Sequence, residues 1–271
     1  MRIKWFAAPY IAWMIVFTVA PLGLLVGYSL TDAGGAFTTE NFVKFFQDPI
    51  FISILLRSLW LALLCTAICL LIGYPVAYIL SRMKEGGVLS VLFILPMWMN
   101  FLLRTYAWMS ILENTGLANK LLMALGLGQA TLLYNSNAVL LGMVYNFLPF
   151  MILPIMTVLR KMDKSLLEAA GDLGANPFET FKRVIVPLSL PGVISGITMV
   201  FMPAVTTFVI SRLLGGSQFM LFGDLIEQQF LQSNNGNFGA ALSVIMMVLI
   251  LVSMAVMNRL GGSEDERGQL I

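Results

Sequence analysis

Six predominantly apolar runs, at residues 6–28, 58–80, 88–112, 137–159, 191–212 and 238–258, restrict what this chain can become more than any single motif does. The hydrocarbon core of a bilayer is about 30 Å thick and an α-helix rises about 1.5 Å per residue, so each run is long enough for one crossing. Backbone amides find no water there, and a helix satisfies its own, which makes helical crossings the expected form. Composition agrees: 59% of the residues are hydrophobic and 11% are charged, whereas water-soluble domains carry about 25% charged residues. The expected fold is an all-α membrane protein with six transmembrane helices. The first run exceeds the roughly 7–15 residues of a secretory h-region and reads as a retained span. Pro21, Pro75, Pro96, Pro149, Pro154 and Pro203 interrupt the runs and predict kinks.

With six crossings both termini share a side. That side receives Arg2, Lys4, Arg82, Lys84, Arg160, Lys161, Lys164, Lys182, Arg183, Arg259 and Arg267, eleven of sixteen basic residues. The opposite loops receive four, Lys44, Arg57, Lys120 and Arg212, and Arg104 falls within the third run. An excess of Lys and Arg marks the cytoplasmic face, so the N- and C-termini and the segment at 160–190 are expected in the cytoplasm. Residues 1–53 then form a first transmembrane helix plus external segment, 54–260 the transmembrane core with a cytoplasmic loop at 160–190, and 261–271 a cytoplasmic tail.

Several chemistries are excluded. The chain has no histidine and two cysteines, Cys65 and Cys69, four apart in one run where a helix puts them on one face. They read as small packing residues, and no metal site is expected. A net charge of +2 argues for no nucleic-acid partner. No G-x-x-x-x-G-K-[ST] phosphate loop occurs, so the chain holds no nucleotide cofactor. A proton- or sodium-coupled carrier calls for ionisable groups near mid-membrane, and no carboxylate lies in the middle of a run. A membrane-embedded enzyme needs His, Asp or Glu gathered at one interface, and here the carboxylates are strung along a loop. Carrier and enzyme stand as the two alternative classes.

The loop itself is dense in charge. Between Arg160 and Arg183 lie five basic and four acidic residues; at about 3 kcal/mol each at the bilayer centre, such a group stays outside hydrocarbon. It carries helix signals as well. Ser165 and Glu168 have capping-box spacing, with Asp163 as an earlier candidate cap. A short helix is expected to Leu173, with Gly174 supplying the positive-φ stop. Asn176 then caps, Pro177 suits the first helical position, Glu179 sits near the positive helix end, and a second helix is expected until Pro187. A folded helical loop where a few residues would suffice reads as a docking surface.

These residues resemble the loop of integral-membrane subunits of bacterial ABC importers, whose pattern is E-A-A, three residues, G, nine residues, I-x-L-P. Here it reads Glu168-Ala169-Ala170, Gly174, and Val184-Ile185-Val186-Pro187, with two apolar departures. The resemblance implies the type I ABC importer permease fold in a bacterial inner membrane. It implies a loop that fits a cleft in an ABC ATPase dimer, with Glu168, Ala169, Ala170, Asp172, Leu173, Gly174, Ala175, Asn176, Pro177 and Pro187 at that contact. ATP and Mg would be bound by the ATPase partner, since this chain cannot power transport alone. It further implies a second, homologous permease subunit and an extracytoplasmic substrate-binding protein, with residues 1–53 wrapping the partner. More narrowly, NFLLRTYAWMSIL at Asn100–Leu112 and LLGG at Leu213–Gly216 resemble the first permease subunit of spermidine/putrescine importers. Related permeases carry amino-acid derivatives, iron or sulfate, and these cargoes stay open.

A polycation calls for carboxylates and aromatic faces along its path. Trp98, Asn100, Tyr106, Trp108 and Glu113 at the outer end of the third run, and Asp224 and Glu227 before the sixth, are the candidates. Each has a plainer role: Tyr106 and Trp108 suit an interfacial belt, and Asp224 to Glu227 has capping-box spacing. Arg104 would repel a cation, and is expected to snorkel outward or to pair with a partner's carboxylate.

Overall fold

The computed structural model describes residues 8–83, 95, 97–216 and 219–268, with the backbone alone for 8 and 260–268. Among these residues five helices are long and apolar enough to cross a membrane. They are α1 (Pro9–Ser29), α3 (Pro49–Arg82), α6 (Ser136–Lys161), α8 (Pro177–Thr206) and α10 (Gly236–Gly268, apolar to Arg259). Shorter helices join them: α2 (Glu40–Gln47), α4 (Phe101–Leu112), α5 (Leu117–Ala124), α7 (Lys164–Asp172) and α9 (Phe222–Leu231). The expected third crossing, 88–112, lies partly outside the described residues, and so does Pro96. Its described helix is the 12-residue α4.

The core is the mutual packing of α3, α6 and α8. Central α6 buries Val139, Met143, Met151, Ile152 and Ile155 completely. The contact is close because α8 presents Gly192 and Gly196 one turn apart. A Cβ at 192 would stand 3.0 Å from both the Pro154 carbonyl oxygen and Ile155 Cα, and one at 196 would stand 2.8 Å from Met151 Sδ. Small residues four apart let helix backbones approach where lipid supplies no hydrophobic drive. Cys65 and Cys69 are both fully buried on α3, and the Cys69 thiol donates to the Val144 carbonyl at 3.8 Å.

In contrast, the most apolar stretch of α1 has none of its residues buried, although the helix packs on α10. The C-terminal end of α1 and the N-terminal end of α10 are tied by Asn237, whose amide donates to the Thr31 carbonyl at 2.8 Å and to Thr31 Oγ1 at 3.0 Å. Thr31 opens a tight hairpin that closes at Phe37.

Two expected boundaries move. The helix after Asn176 does not stop at Pro187 but continues into the crossing expected at 191–212. A π turn at Phe181–Ile185, in which the Val186 amide reaches the Phe181 carbonyl, widens the ladder just where proline lacks its donor. A second π turn at Ile15–Val19 precedes Pro21 in the same way. That helix also ends early, at Thr206. Thr207 is extended, with φ −64° and ψ 139°, so Arg212 sits not in the crossing but in a separate π turn, Ser211–Gly215.

Candidate functional site

The 26 residues of α6 span about 39 Å, and the polar features gather beyond its two ends. At the C-terminal end stands the loop. Asp163, not Ser165, is the cap: its carboxylate accepts the Ser165 amide at 2.9 Å, and this hydrogen bond holds the Asp163 carboxyl below its ordinary range. The helix closes with both bonds of a Schellman motif, Ala175 amide to Ala170 carbonyl at 3.0 Å and Gly174 amide to Gly171 carbonyl at 2.9 Å. That geometry needs the φ of +80° found at Gly174. Asn176 and Glu179 then cap each other reciprocally, at 2.9 and 3.2 Å, with Pro177 in the first turn.

The turn makes a knob whose tip is apolar. Leu173 is 89% exposed and Phe178 is 72% exposed, on a loop whose charges keep it out of hydrocarbon. Glu168, Ala169, Asp172, Asn176, Pro177 and Pro187 are exposed, Ala175 is half-buried, and Ala170 is buried. Sequence reasoning misses Phe178; an aromatic directly after the capping Asn-Pro is the signal available for it. The knob's root is wedged into the bundle. Phe181 meets Tyr74 and Tyr78 of α3 edge-on, at centroid distances of 5.9 and 5.5 Å. The Tyr74 hydroxyl shares a 2.8 Å hydrogen bond with Ser189 of α8, and the Arg82 guanidinium lies 4.7 Å over Tyr78. A cleft of about 460 Å³ opens behind the knob, lined by Arg82, Arg160, Lys164 and Glu168 among others.

Beyond the other end of α6 the candidates divide. Trp98 is 78% exposed, Asn100 caps α4 by accepting the Leu102 amide at 2.8 Å, Glu113 ends α4, and Trp108 packs edge-on against Tyr145 at 5.3 Å. Tyr106 is exposed as well. None of these lines the cavity at α9, where Asp224 and Glu227 do come together with Arg212. Arg104 does not snorkel: α6 and the Ser211–Gly215 turn pack on α4, which leaves it buried at 8% exposure, with Nε lacking a hydrogen-bond partner among the described residues.

The α9 group is built by local packing. Gly223 lets the first turn of α9 rest on the break after α8, because a Cβ there would lie 2.8 Å from the carbonyl oxygens of both Thr206 and Thr207. Ser58 of α3 fixes the same turn by accepting the Phe222 amide at 2.8 Å. Asp224 does not open the helix as its spacing with Glu227 implied; it is the returning acid, accepting the Leu221 amide at 2.9 Å. One turn later Glu227 Oε1 accepts from Arg212 Nη1 at 2.7 Å.

Burial, aided by the charge on Glu227, pushes the Asp224 carboxyl up to about 6 against the opposing pull of Ser211, the Leu221 amide and Arg212. A raised acid pKa means the folded state disfavours the ionised form, so the penalty grows as pH rises from about 4 to about 6 and is complete above that. Asp224→Asn keeps an oxygen for Leu221 and removes the penalty. Its thermal midpoint is expected above wild type at pH 8, with the gap closing towards pH 4, in scans of detergent-solubilised protein.

The family described as binding-protein-dependent transport system inner membrane component matches residues 70–262. The chain belongs to that family. It is 36% identical over 256 residues to the spermidine/putrescine transport system permease protein PotB of Escherichia coli K12, covering 91% of this chain and 93% of that one. It is 40% identical over 258 residues to PotB of Haemophilus influenzae, covering 92% and 90%. Among solved structures, a bacterial ABC transporter involved in import of the acidic polysaccharide alginate superposes with a TM-score of 0.83 over 96% of this chain and 94% of that one, at 16% identity. The MetNI methionine ABC transporter superposes at 0.57 over 80% and 98%, also at 16% identity. At such identities these two show the shared fold of ABC importer permeases. This family member is therefore a multi-pass inner-membrane transport subunit and not an enzyme.

Proposed function

We propose that the chain is one of two related permease subunits of an ATP-driven importer of polyamines, and that its knob is the handle moved by a partner ATPase dimer carrying ATP and Mg. The carrying observation is the way the knob is built. Its second helix is one rigid piece with α8, and Phe181 wedges it against α3, so a push on Leu173 and Phe178 moves two of the three core helices together. The break at Thr207 lets α8 tilt without dragging the Arg212 turn.

The charge bias of the loops supports six crossings with the knob and both termini in the cytoplasm. The Asp224–Glu227 group then faces the side from which an external binding protein delivers cargo. Residues 1–53 carry α1, whose exposed apolar surface fits a second permease subunit. The cargo class comes from the PotB relatives, and carboxylates on the outer side are consistent with a polycation.

The test is uptake of labelled spermidine and putrescine into vesicles holding the complete complex, with ATP inside and binding protein outside. ATP-dependent accumulation is expected, blocked by excess unlabelled spermidine and untouched by sulfate or amino acids. Accumulation of another solute alone overturns the cargo assignment; accumulation without ATP or without the ATPase subunits overturns the importer reading.

A further inference from the structure

Glu227 stands between two cavities. On one side is a polar space of about 250 Å³ lined by Arg212, Phe219, Asp224, Gln228 and Gln232. On the other is a mainly apolar space of about 340 Å³ lined by Thr206, Phe208, Ile226, Ser243 and Met246. A carboxylate at the junction of an amide-lined space and an apolar one matches a ligand in which ammonium groups alternate with methylene chains.

Two features of the polar space that attract cations are already covered by the chain's own cations. Arg212 holds Glu227 at 2.7 Å, and the Arg57 guanidinium lies 5.5 Å over the Phe219 ring. The two members of the ion pair are unequal. The Glu227 side chain is 18% exposed and the Arg212 side chain 51%, so the carboxylate is largely enclosed while the arginine side chain already meets water.

We propose that Arg212 is a tethered stand-in for the cargo's ammonium group, occupying Glu227 in the resting permease until a polyamine displaces it. Exchange of one cation for another keeps the enclosed carboxylate paired throughout, which avoids the penalty of an uncompensated buried charge. A neutral solute cannot make the exchange, so the pair also rejects uncharged competitors. Each displaced guanidinium finds water, and the cargo's methylene chain finds the apolar cavity beside Glu227.

The assignment rests on the polyamine reading, and spermidine uptake by the complete complex in vesicles separates the two. Arg212→Gln is expected to lower the spermidine concentration for half-maximal uptake about fivefold, the scale of a partly exposed ion pair. Glu227→Gln is expected to raise it, the double variant to behave like Glu227→Gln alone, and Arg212→Lys to restore the wild-type dependence. Wild-type uptake together with an Arg212→Gln half-saturation that is unchanged or raised overturns the stand-in while leaving the cargo assignment intact. Absence of wild-type polyamine uptake overturns both. If Arg212→Gln fails to assemble, Arg212→Lys decides: a half-saturation different from wild type overturns the proposal.

Discussion

Gly174→Val is expected to abolish polyamine uptake while the protein still inserts and assembles. The reason is backbone geometry alone. Gly174 has φ of +80°, and nothing lies within 4 Å of where its Cβ would be, so a substitution meets strain but no clash. For an L-residue the left-handed region costs about 1–2 kcal/mol, more for a β-branched one. The Schellman turn holding Leu173 and Phe178 at the tip has few other contacts to offset that cost, so the knob reorients. Asn tolerates this region better than other side chains, and Gly174→Asn is therefore expected to keep most of the activity. Uptake and ATPase assays on the two variants, with thermal midpoints matching wild type, check this. Equal activity of Val and Asn would show that the turn is not what transmits the push.

Gly192→Leu is expected to have a comparably large effect by another route, loss of folding. Its Cβ would stand 3.0 Å from a carbonyl oxygen and a Cα of α6, atoms that cannot turn aside. Overpacking of this kind costs roughly 1–3 kcal/mol where side chains can yield and more where backbone must move. Gly196→Ala differs in kind, since its closest neighbour is the flexible end of Met151 at 2.8 Å. Shortening that side chain with Met151→Ala is expected to recover part of the Gly196→Ala loss and none of the Gly192→Leu loss, a non-additive pair beside an additive one. Yield of monodisperse protein and thermal midpoint measure both. Recovery of Gly192→Leu by Met151→Ala would place the α6–α8 contact elsewhere.

What could be read without coordinates is what neighbouring residues decide among themselves. A crossing is announced by the run of apolar side chains that lipid requires, and Asn176, Pro177 and Glu179 cap a helix because all the atoms involved lie within three residues. Gly174 stops a helix for the same local reason. Even there, the choice between Asp163 and Ser165 as cap turns on a balance of similar hydrogen bonds that the letters leave open. The other features join residues that lie farther apart along the chain. Arg212 meets Glu227 because α8 breaks at Thr207 and α9 folds back onto the break; Phe181 meets Tyr74 and Tyr78 because α8 runs on through Pro187; and Gly192 matters because a carbonyl of α6 lies against it. Apolar side chains that pack these helices are interchangeable in composition, so the letters mark α3, α6 and α8 as apolar runs, as they do α1 and α10, without showing which of them form the core or which faces meet. Contact distance between backbones, set by the whole bundle at once, settles that, and with it which charges find each other.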